Sequence, residues 1–141
     1  GAPVHEVAFL GRVLLAEDNV VNQEVAVNML EGLNCQVAVA GNGLEALAAL
    51  ERESFDLVLM DCQMPVMDGY EATRHIREMG GAASHVPIVA VTAHVLTGSR
   101  ERFLAAGMND FVAKPILIDE LRAALIRAHE AKLRYQRTAL A

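Results

Sequence analysis

Five polar residues, spread widely along the chain, carry side chains suited to one phosphoryl site. Glu17, Asp18 and Asp61 supply three carboxylates, Thr92 a hydroxyl and Lys114 an ammonium. Carboxylates brought together need counter-charge, because two like charges about 4 Å apart repel by about 4 kcal/mol at an effective dielectric of about 20. One lysine does not balance three acids, and oxygen ligands without His or thiolate suit Mg²⁺. Glu17 and Asp18 would hold the metal, one directly and the other through water.

Asp61 is the candidate nucleophile. An aspartate can attack phosphorus to give an acyl phosphate, and this reaction needs alignment and charge neutralisation more than proton transfer. Mg²⁺, the Lys114 ammonium and the Thr92 hydroxyl would each hold one phosphoryl oxygen. The backbone N–H groups of Cys62 and Ala93 are predicted as further donors.

Alternating short apolar runs and amphipathic stretches predict the elements that must position these groups. Strands are expected at 13–16, 35–40, 56–60, 87–92 and 111–113, and helices at 19–31, from 42, from 68 to 80, at 97–106 and from 119. Capping pairs mark two helix starts: Asn42 with Glu45, and Asp68 with Glu71. Glycines are expected to close the first, third and fourth helices, at Gly32, Gly80-Gly81 and Gly107, and Asp119 to cap the last.

Five strand–helix units in strict alternation predict an α/β fold, with a parallel sheet covered by helices on both faces. Ligands of such sheets bind beyond the carboxyl ends of the strands. Glu17 and Asp18 follow the first predicted strand, Asp61 follows the third, Thr92 ends the fourth and Lys114 follows the fifth. If the first and third strands are central neighbours, all five residues meet in one crevice.

Composition excludes several other classes of protein. With 141 residues, 53% of them hydrophobic and 21% charged, the chain has the size of one domain and is too apolar for intrinsic disorder. A net charge of −6 argues against nucleic-acid binding, and two cysteines are too few for a disulfide scaffold or a zinc site. No apolar run reaches the length of a membrane span. We expect a cytoplasmic domain at 11–136, an N-terminal extension or tag remnant at 1–10 and a C-terminal tail at 137–141.

Taken together, these motifs resemble a two-component receiver (response-regulator) domain from about residue 12 to about residue 128. The segments that carry the resemblance are 15–19, 59–65, 68–69, 92–93 and 114–115. The sequences of segments 61–73 and 105–111 resemble those of the receivers of hybrid sensor histidine kinases in particular. The resemblance implies a flavodoxin-like (βα)5 fold, doubly wound, with strand order 2-1-3-4-5.

The resemblance also implies a mechanism. A phosphohistidine, on a histidine kinase transmitter domain in cis or in trans, would pass its phosphoryl group to Asp61, and a histidine-containing phosphotransfer domain would be the next partner. Asp18, Asp61 and the Gln63 carbonyl would bind Mg²⁺, with Glu17 assisting. A parent hybrid kinase could be anchored in the inner membrane, although this domain would contact neither membrane nor nucleic acid.

The resemblance has further implications. The Lys114–Pro115 bond would be cis. Phosphorylation would draw Thr92 inward and let the Phe111 ring rotate, changing the face of the fourth helix, fifth strand and fifth helix. Many receivers have Tyr where this chain has Phe111, which lacks the hydroxyl. Gln63 and His94 flank the approach of water and are expected to tune hydrolysis, so the domain would catalyse both its own phosphorylation and its dephosphorylation.

Other interpretations are weaker. A haloacid-dehalogenase phosphatase needs a second acid where this chain has Gln63. In a flavodoxin-type carrier, Glu17 and Asp18 would repel the phosphate of the cofactor. The motif of P-loop nucleotide enzymes is absent from the sequence. A pseudo-receiver that only binds partners, or a stand-alone single-domain regulator, remains open. Structural roles also remain open: helix capping for Glu17 and Asp18, a satisfied buried hydroxyl for Thr92 and core packing for Phe111.

Overall fold

The computed structural model describes residues 11–93 and 98–140. Five strands alternate with five helices along this part of the chain. The strands are β1 (Arg12–Ala16), β2 (Gln36–Ala40), β3 (Leu57–Asp61), β4 (Ile88–Thr92) and β5 (Asp110–Ala113). The helices are α1 (Val20–Gly32), α2 (Gly43–Arg52), α3 (Gly69–Glu78), α4 (Ser99–Ala106) and α5 (Ile118–Leu140), and a short 3-10 helix (Ala82–His85) precedes β4.

All strand pairs are parallel, in the order β2-β1-β3-β4-β5, which confirms the predicted flavodoxin-like fold. The register aligns the carboxyl ends of the strands at one edge of the sheet. Ala16, the last residue of β1, lies beside Met60, and Asp61 lies beside Val91. Thr92 lies beside Ala113 in β5. The residues that follow β1, β3, β4 and β5 are therefore brought to a common edge.

The sheet separates two hydrophobic cores, and β3 contributes to both of them. Every residue of β3 is buried. Val58 and Met60 pack with α2, α3 and Phe103 of α4, whereas Leu57 and Leu59 pack with α1 and α5. Side chains alternate between the faces of a strand, so a continuous apolar run is what burial on both faces requires.

Local capping starts the helices where the sequence predicts. The Asn42 side chain accepts a hydrogen bond from the Glu45 N–H at 2.9 Å, and the Glu45 carboxylate accepts one from the Gly41 N–H at 2.6 Å. Asp68 accepts from the Glu71 N–H at 2.8 Å. These bonds satisfy N–H groups that have no partner inside the first turn of a helix.

Three predicted helix ends are wrong. The first helix includes Gly32, and the left-handed turn after it falls on Asn34, with φ of 68°, a conformation that Asn tolerates better than most residues. The third helix stops at Glu78, before the two glycines. In α5 the Leu121 N–H donates to the Leu117 carbonyl, so Asp119 lies inside the first turn and does not cap it.

The ends of the last two helices complete the comparison. Gly107, with φ of 103°, follows α4 as predicted, whereas the predicted start at Thr97 lies outside the described residues. The last helix continues through the segment 137–140 as far as Leu140. Within the described residues, none of the helices has both the length and the apolar character needed to cross a membrane.

Candidate functional site

Three carboxylates converge at the carboxyl edge of the sheet. Glu17 and Asp18 come directly after β1, and Asp61 is the last residue of the neighbouring β3. One carboxylate oxygen from each of them lies within 4.8 Å of the others. Glu17 is 5% exposed and Asp61 2% exposed, whereas Asp18 lies at the surface. Two buried acids and one at the rim form an acidic cluster that is open to solvent on one side.

Lys114 is the cation that contacts this acidic cluster. Its Nζ lies 2.9 Å from Asp61 Oδ2 and 3.6 Å from Glu17 Oε1. Lys114 directly follows β5, and its backbone N–H donates to the Thr92 carbonyl at 2.8 Å, which ties the lysine to the end of β4. The Lys114–Pro115 peptide bond is cis, as the resemblance implied.

The charges of the cluster are only partly balanced. Burial raises the pKa of Glu17, and the charge of Asp61 raises it further, against the hydrogen bond that the Asn19 N–H donates to Glu17. Burial lowers the pKa of Lys114, but its hydrogen bond to Asp61 and the charges of Asp61 and Glu17 outweigh burial and raise it. Lys114 is therefore held in its charged form, and the cluster keeps surplus negative charge.

The cluster fits a hard divalent cation. Its ligand atoms are carboxylate oxygens from Glu17, Asp18 and Asp61, without a histidine or cysteine among them in the described residues. Mg²⁺ prefers such oxygens and is bound through one or two carboxylates, with room left for phosphoryl oxygens. One ammonium does not offset three carboxylates at these separations.

The loop after β3 changes one detail of the predicted site. The Cys62 N–H, predicted as a donor to the phosphoryl group, donates to the Val91 carbonyl at 3.0 Å in this structure, as part of the pairing with β4. The Gln63 N–H donates to Asp61 Oδ1 at 3.1 Å and is therefore the backbone amide of this loop that contacts the Asp61 carboxylate. The register of the sheet decides which amide is used, and a sequence gives no direct sign of that register.

Tight backbone packing holds this loop against the strand. A Cβ atom added to Gly69 would lie 2.2 Å from the Asp61 carbonyl oxygen, so a side chain at this position cannot be accommodated without displacement. The Gly69 N–H donates to the Cys62 carbonyl at 3.1 Å. Glycine is the residue that permits so close an approach of α3 to the end of β3.

The remaining predicted residues lie in different surroundings. Thr92 is buried at the end of β4, beside Ala113 and therefore next to Lys114 along the edge. Phe111 is half-buried in β5, and its ring centroid lies 5.2 Å from that of Phe103. Gln63 is exposed. His94 lies outside the described residues.

Sequence reasoning missed several residues around the site. Gln23 of α1 donates through Nε2 to the Glu17 carbonyl at 2.7 Å and so fixes the turn that presents the acids. Tyr70 and Arg102 line a cleft of about 610 Å³ together with Cys62, Gln63 and Thr92. These contacts join separate elements, and neither periodicity nor capping signals indicate such partners.

The chain is similar to a known family of proteins. The model of the family described as "Response regulator receiver domain" matches residues 13–126. Hybrid signal transduction histidine kinase K of Dictyostelium discoideum is 40% identical over 129 residues, which cover 87% of this chain and 11% of that protein. Sensor protein GacS of Pseudomonas syringae pv. syringae is 40% identical over 118 residues, covering 82% of this chain and 13% of that protein. The chain thus spans little more than a tenth of the length of these two relatives.

A solved structure shows the same likeness. The crystal structure of the receiver domain of a sensor histidine kinase from Pseudomonas aeruginosa PAO1 has 45% sequence identity and a TM-score of 0.78. The match covers 86% of this chain and 99% of that domain, which has a magnesium ion coordinated in its active site cleft.

Proposed function

We propose, from the premise that the chain belongs to the family of response regulator receiver domains of two-component systems, that Asp61 accepts a phosphoryl group from a phosphohistidine. One observation carries the proposal. Asp61 is a buried carboxylate within 4.8 Å of two other acids, and the Lys114 ammonium lies 2.9 Å from it. A structural aspartate is satisfied by its lysine alone, whereas surplus negative charge suits a site that receives a cation and a phosphoryl group.

The proposed reaction is an in-line displacement at phosphorus. One carboxylate oxygen of Asp61 bonds to phosphorus while the phosphorus–nitrogen bond of the phosphohistidine breaks. The electron pair of that bond leaves with the imidazole nitrogen, which takes up a proton from water. In dephosphorylation water attacks the same phosphorus, the aspartyl oxygen–phosphorus bond breaks, and inorganic phosphate and the Asp61 carboxylate are released.

Asp18, Asp61 and the Gln63 carbonyl are the proposed ligands of Mg²⁺, with Glu17 assisting. When bound, Mg²⁺ supplies positive charge opposite the phosphoryl oxygens. The magnesium ion in the related receiver of Pseudomonas aeruginosa supports this choice of metal. The carboxylates of this chain would bind the metal ion and fix its position. Burial of Glu17 and Asp61 excludes bulk water from one side of the site.

Lys114 and Thr92 are the proposed contacts to the remaining phosphoryl oxygens. The Lys114 Nζ is already at Asp61 Oδ2, where an incoming oxygen would share it. Thr92 ends the next strand and is joined to Lys114 through the backbone. Movement of Thr92 toward the phosphoryl group, with rotation of the Phe111 ring, would change the face made by α4, β5 and α5, and Gln63 and His94 would tune hydrolysis.

An apolar rim at the acidic cluster supports a protein as the phosphoryl donor. Val20 and Val21 begin α1, just after the acids, and are 64% and 65% exposed. Leu117 and Ile118, which lie shortly after Lys114, are exposed as well. Groups of exposed apolar side chains mark surfaces that bind other proteins. We assign this rim to a histidine kinase transmitter domain or a histidine-containing phosphotransfer domain.

The relatives favour a hybrid histidine kinase as the parent over a stand-alone regulator. Phosphohistidine is made from intracellular ATP, so the proposal places the domain in the cytoplasm. The parent protein could still be anchored in the inner membrane.

Intact-mass spectrometry after incubation with acetyl phosphate and Mg²⁺ tests the central claim. The parent chain should gain the mass of one phosphate, and chelation of Mg²⁺ should prevent the gain. Asp61→Asn should show no adduct. An adduct of equal amount in Asp61→Asn, or none in the parent chain, would contradict the assignment of Asp61 as phosphoacceptor.

A further inference from the structure

The ring of Tyr70 joins α3 to α4. Two consecutive residues of α4 contact it: the Arg102 guanidinium lies 4.2 Å from the Tyr70 ring centroid, and the Phe103 ring stacks on it at 6.1 Å with 13° between the planes. Both separations lie in the attractive range for a cation above an aromatic face and for paired rings. Tyr70 is half-buried and Phe103 is 2% exposed.

The other end of Tyr70 lies against the residues around Asp61. Its hydroxyl lies next to the thiol of Cys62, the residue that follows Asp61, and both side chains line the same cleft. Burial first, and then the contact with Cys62, raise the pKa of Tyr70 to about 12, so the hydroxyl keeps its proton at neutral pH. Gly69, immediately before Tyr70, packs its Cα against the Asp61 carbonyl. The backbone before Tyr70 and the Tyr70 side chain therefore both contact the loop that follows Asp61.

The contacts continue from α4 to β5. The buried Phe103 ring lies 5.2 Å from the ring of Phe111, tilted by 42°. A continuous series of contacts thus runs from Asp61 through Cys62, Tyr70 and Phe103 to Phe111. Thr92 is not a member of the series. A displacement of the loop after β3 that carries Gly69 with it must either move the Tyr70 ring or break its contacts with α4, because Gly69 is bonded directly to Tyr70.

We propose that Tyr70 is a positioning residue that ties α4 to the phosphoacceptor loop and carries changes at Asp61 to Phe111. The inference rests on the proposed function for its biological meaning, although the contacts themselves require no phosphoryl group. Coupling of this kind is established by showing that one change alters the effect of another, so the test uses pairs of substitutions.

Amide hydrogen exchange in residues 102–108 tests the tie to α4. Tyr70→Leu removes the ring, and these amides should exchange about 2- to 10-fold faster relative to those of α2, as expected for loss of one aromatic contact. Tyr70→Phe keeps the ring and should exchange like the parent chain. Tyr135→Leu is the matched control, because Tyr135 also stacks on a ring, that of His85 at 4.9 Å, but lies on α5. Parent-like exchange of 102–108 in Tyr70→Leu would overturn the inference.

Chemical shifts test the coupling to Phe111. Asp61→Asn changes the charge at the acceptor and should displace the Phe111 amide resonance in the parent background. In the Tyr70→Leu background the same substitution should displace it by less than half as much. Tyr70→Phe, which lacks only the hydroxyl toward Cys62, should give an intermediate displacement. An undiminished displacement in Tyr70→Leu would overturn the inference.

These measurements separate the inference from the proposed function. Failure of the parent chain to acquire phosphate, with the Asp61→Asn effect still reduced by Tyr70→Leu, would refute phosphoryl transfer and support the role of Tyr70. Phosphate on Asp61, with a Phe111 response that Tyr70→Leu leaves unchanged, would refute the role of Tyr70 alone.

Discussion

The two ends of β3 carry similar aspartate–lysine pairs in different surroundings. Before the strand, Asp56 Oδ1 lies 2.8 Å from Lys132 Nζ; at its carboxyl end, Asp61 Oδ2 lies 2.9 Å from Lys114 Nζ. Each pair joins distant parts of the chain. The Asp56 side chain is 42% exposed, whereas that of Asp61 is 3% exposed.

What differs most is the charge around each pair. Asp56 also accepts a hydrogen bond from the Arg12 N–H at 2.8 Å, and the Arg12 guanidinium pairs with Glu53. Burial raises the pKa of Asp56, but the hydrogen bonds from Lys132 and Arg12 outweigh it and lower the pKa. At the other end Glu17 also contacts the lysine, and Asp18 adds a third carboxylate to the cluster. Similar distances thus accompany a balanced structural pair and a site with unmet charge, and the surrounding charge distinguishes them.

Removing each aspartate should give the largest contrast between the two ends. Asp61→Asn should weaken Mg²⁺ binding at least about tenfold, equivalent to about 1.4 kcal/mol, because it takes a carboxylate from the cluster. Asp56→Asn should leave the affinity unchanged. Isothermal titration calorimetry measures both, and an equal loss in the two variants would contradict the distinction.

Glycine substitutions should show how tightly the backbone packs at the carboxyl end of β3. Gly69→Ala places a Cβ at 2.2 Å from the Asp61 carbonyl oxygen and should lower the free energy of unfolding by about 1–3 kcal/mol. Gly80→Ala is the matched control, since an added Cβ there meets nothing within 4 Å. Its effect should stay within about 0.5 kcal/mol in urea unfolding. Equal stability of the two variants would show that the loop adapts to a side chain at Gly69.

Removal of Lys114 should lower stability more than removal of Lys132. Lys114→Ala leaves Asp61 buried beside other acids and should cost about 1–2 kcal/mol without metal, while added Mg²⁺ should restore part of the loss. Lys132→Ala removes a half-buried pair whose carboxylate keeps other partners and access to solvent, and should cost about 0–1 kcal/mol, with no recovery in Mg²⁺. Thermal unfolding with and without Mg²⁺ measures this. Recovery in both variants, or in neither, would contradict a metal site confined to the carboxyl end.

Lys114→Ala has a second expected consequence. It should leave Mg²⁺ binding intact but prevent phosphorylation from changing the α4–β5–α5 face, because the lysine no longer links the phosphoryl group to β4 and β5. Chemical shifts of that face before and after acetyl phosphate provide the measurement. Equal responses in variant and parent would rule out this role.

The smallest effect is expected for the pH dependence of stability at Asp56, before the start of β3. A lowered pKa means that the unfolded chain binds the proton of Asp56 more tightly, so stability from Asp56 is fully present above the unfolded value of about 3.9. It is lost as pH falls through the lower folded pKa. The stability difference between parent and Asp56→Asn should therefore be constant near neutral pH and shrink in acid. A difference that grows in acid would contradict the sign.

Most of the fold and the main site residues could be predicted from sequence, because local rules determine them. Apolar runs gave the strands, the Asn42 and Asp68 capping pairs gave two helix starts, and the strand-end positions of the acids and Lys114 gave the cluster. Contacts set by register or by distant packing could not be predicted. These include the use of the Gln63 N–H, the Asp56–Lys132 pair and the stacking of Phe103 on Tyr70.

The alternation of β3 between two cores has a consequence for how the domain responds. Val58 and Met60 are locked on one face and Leu57 and Leu59 on the other, so the strand cannot shift without disturbing both. If Asp61 is phosphorylated as proposed, the added charge would then be accommodated by the loops at the edge of the sheet. The strand that carries Asp61 would stay in place while the loops around it move, so substitutions in those loops would change the strength or duration of the proposed response without altering the strand.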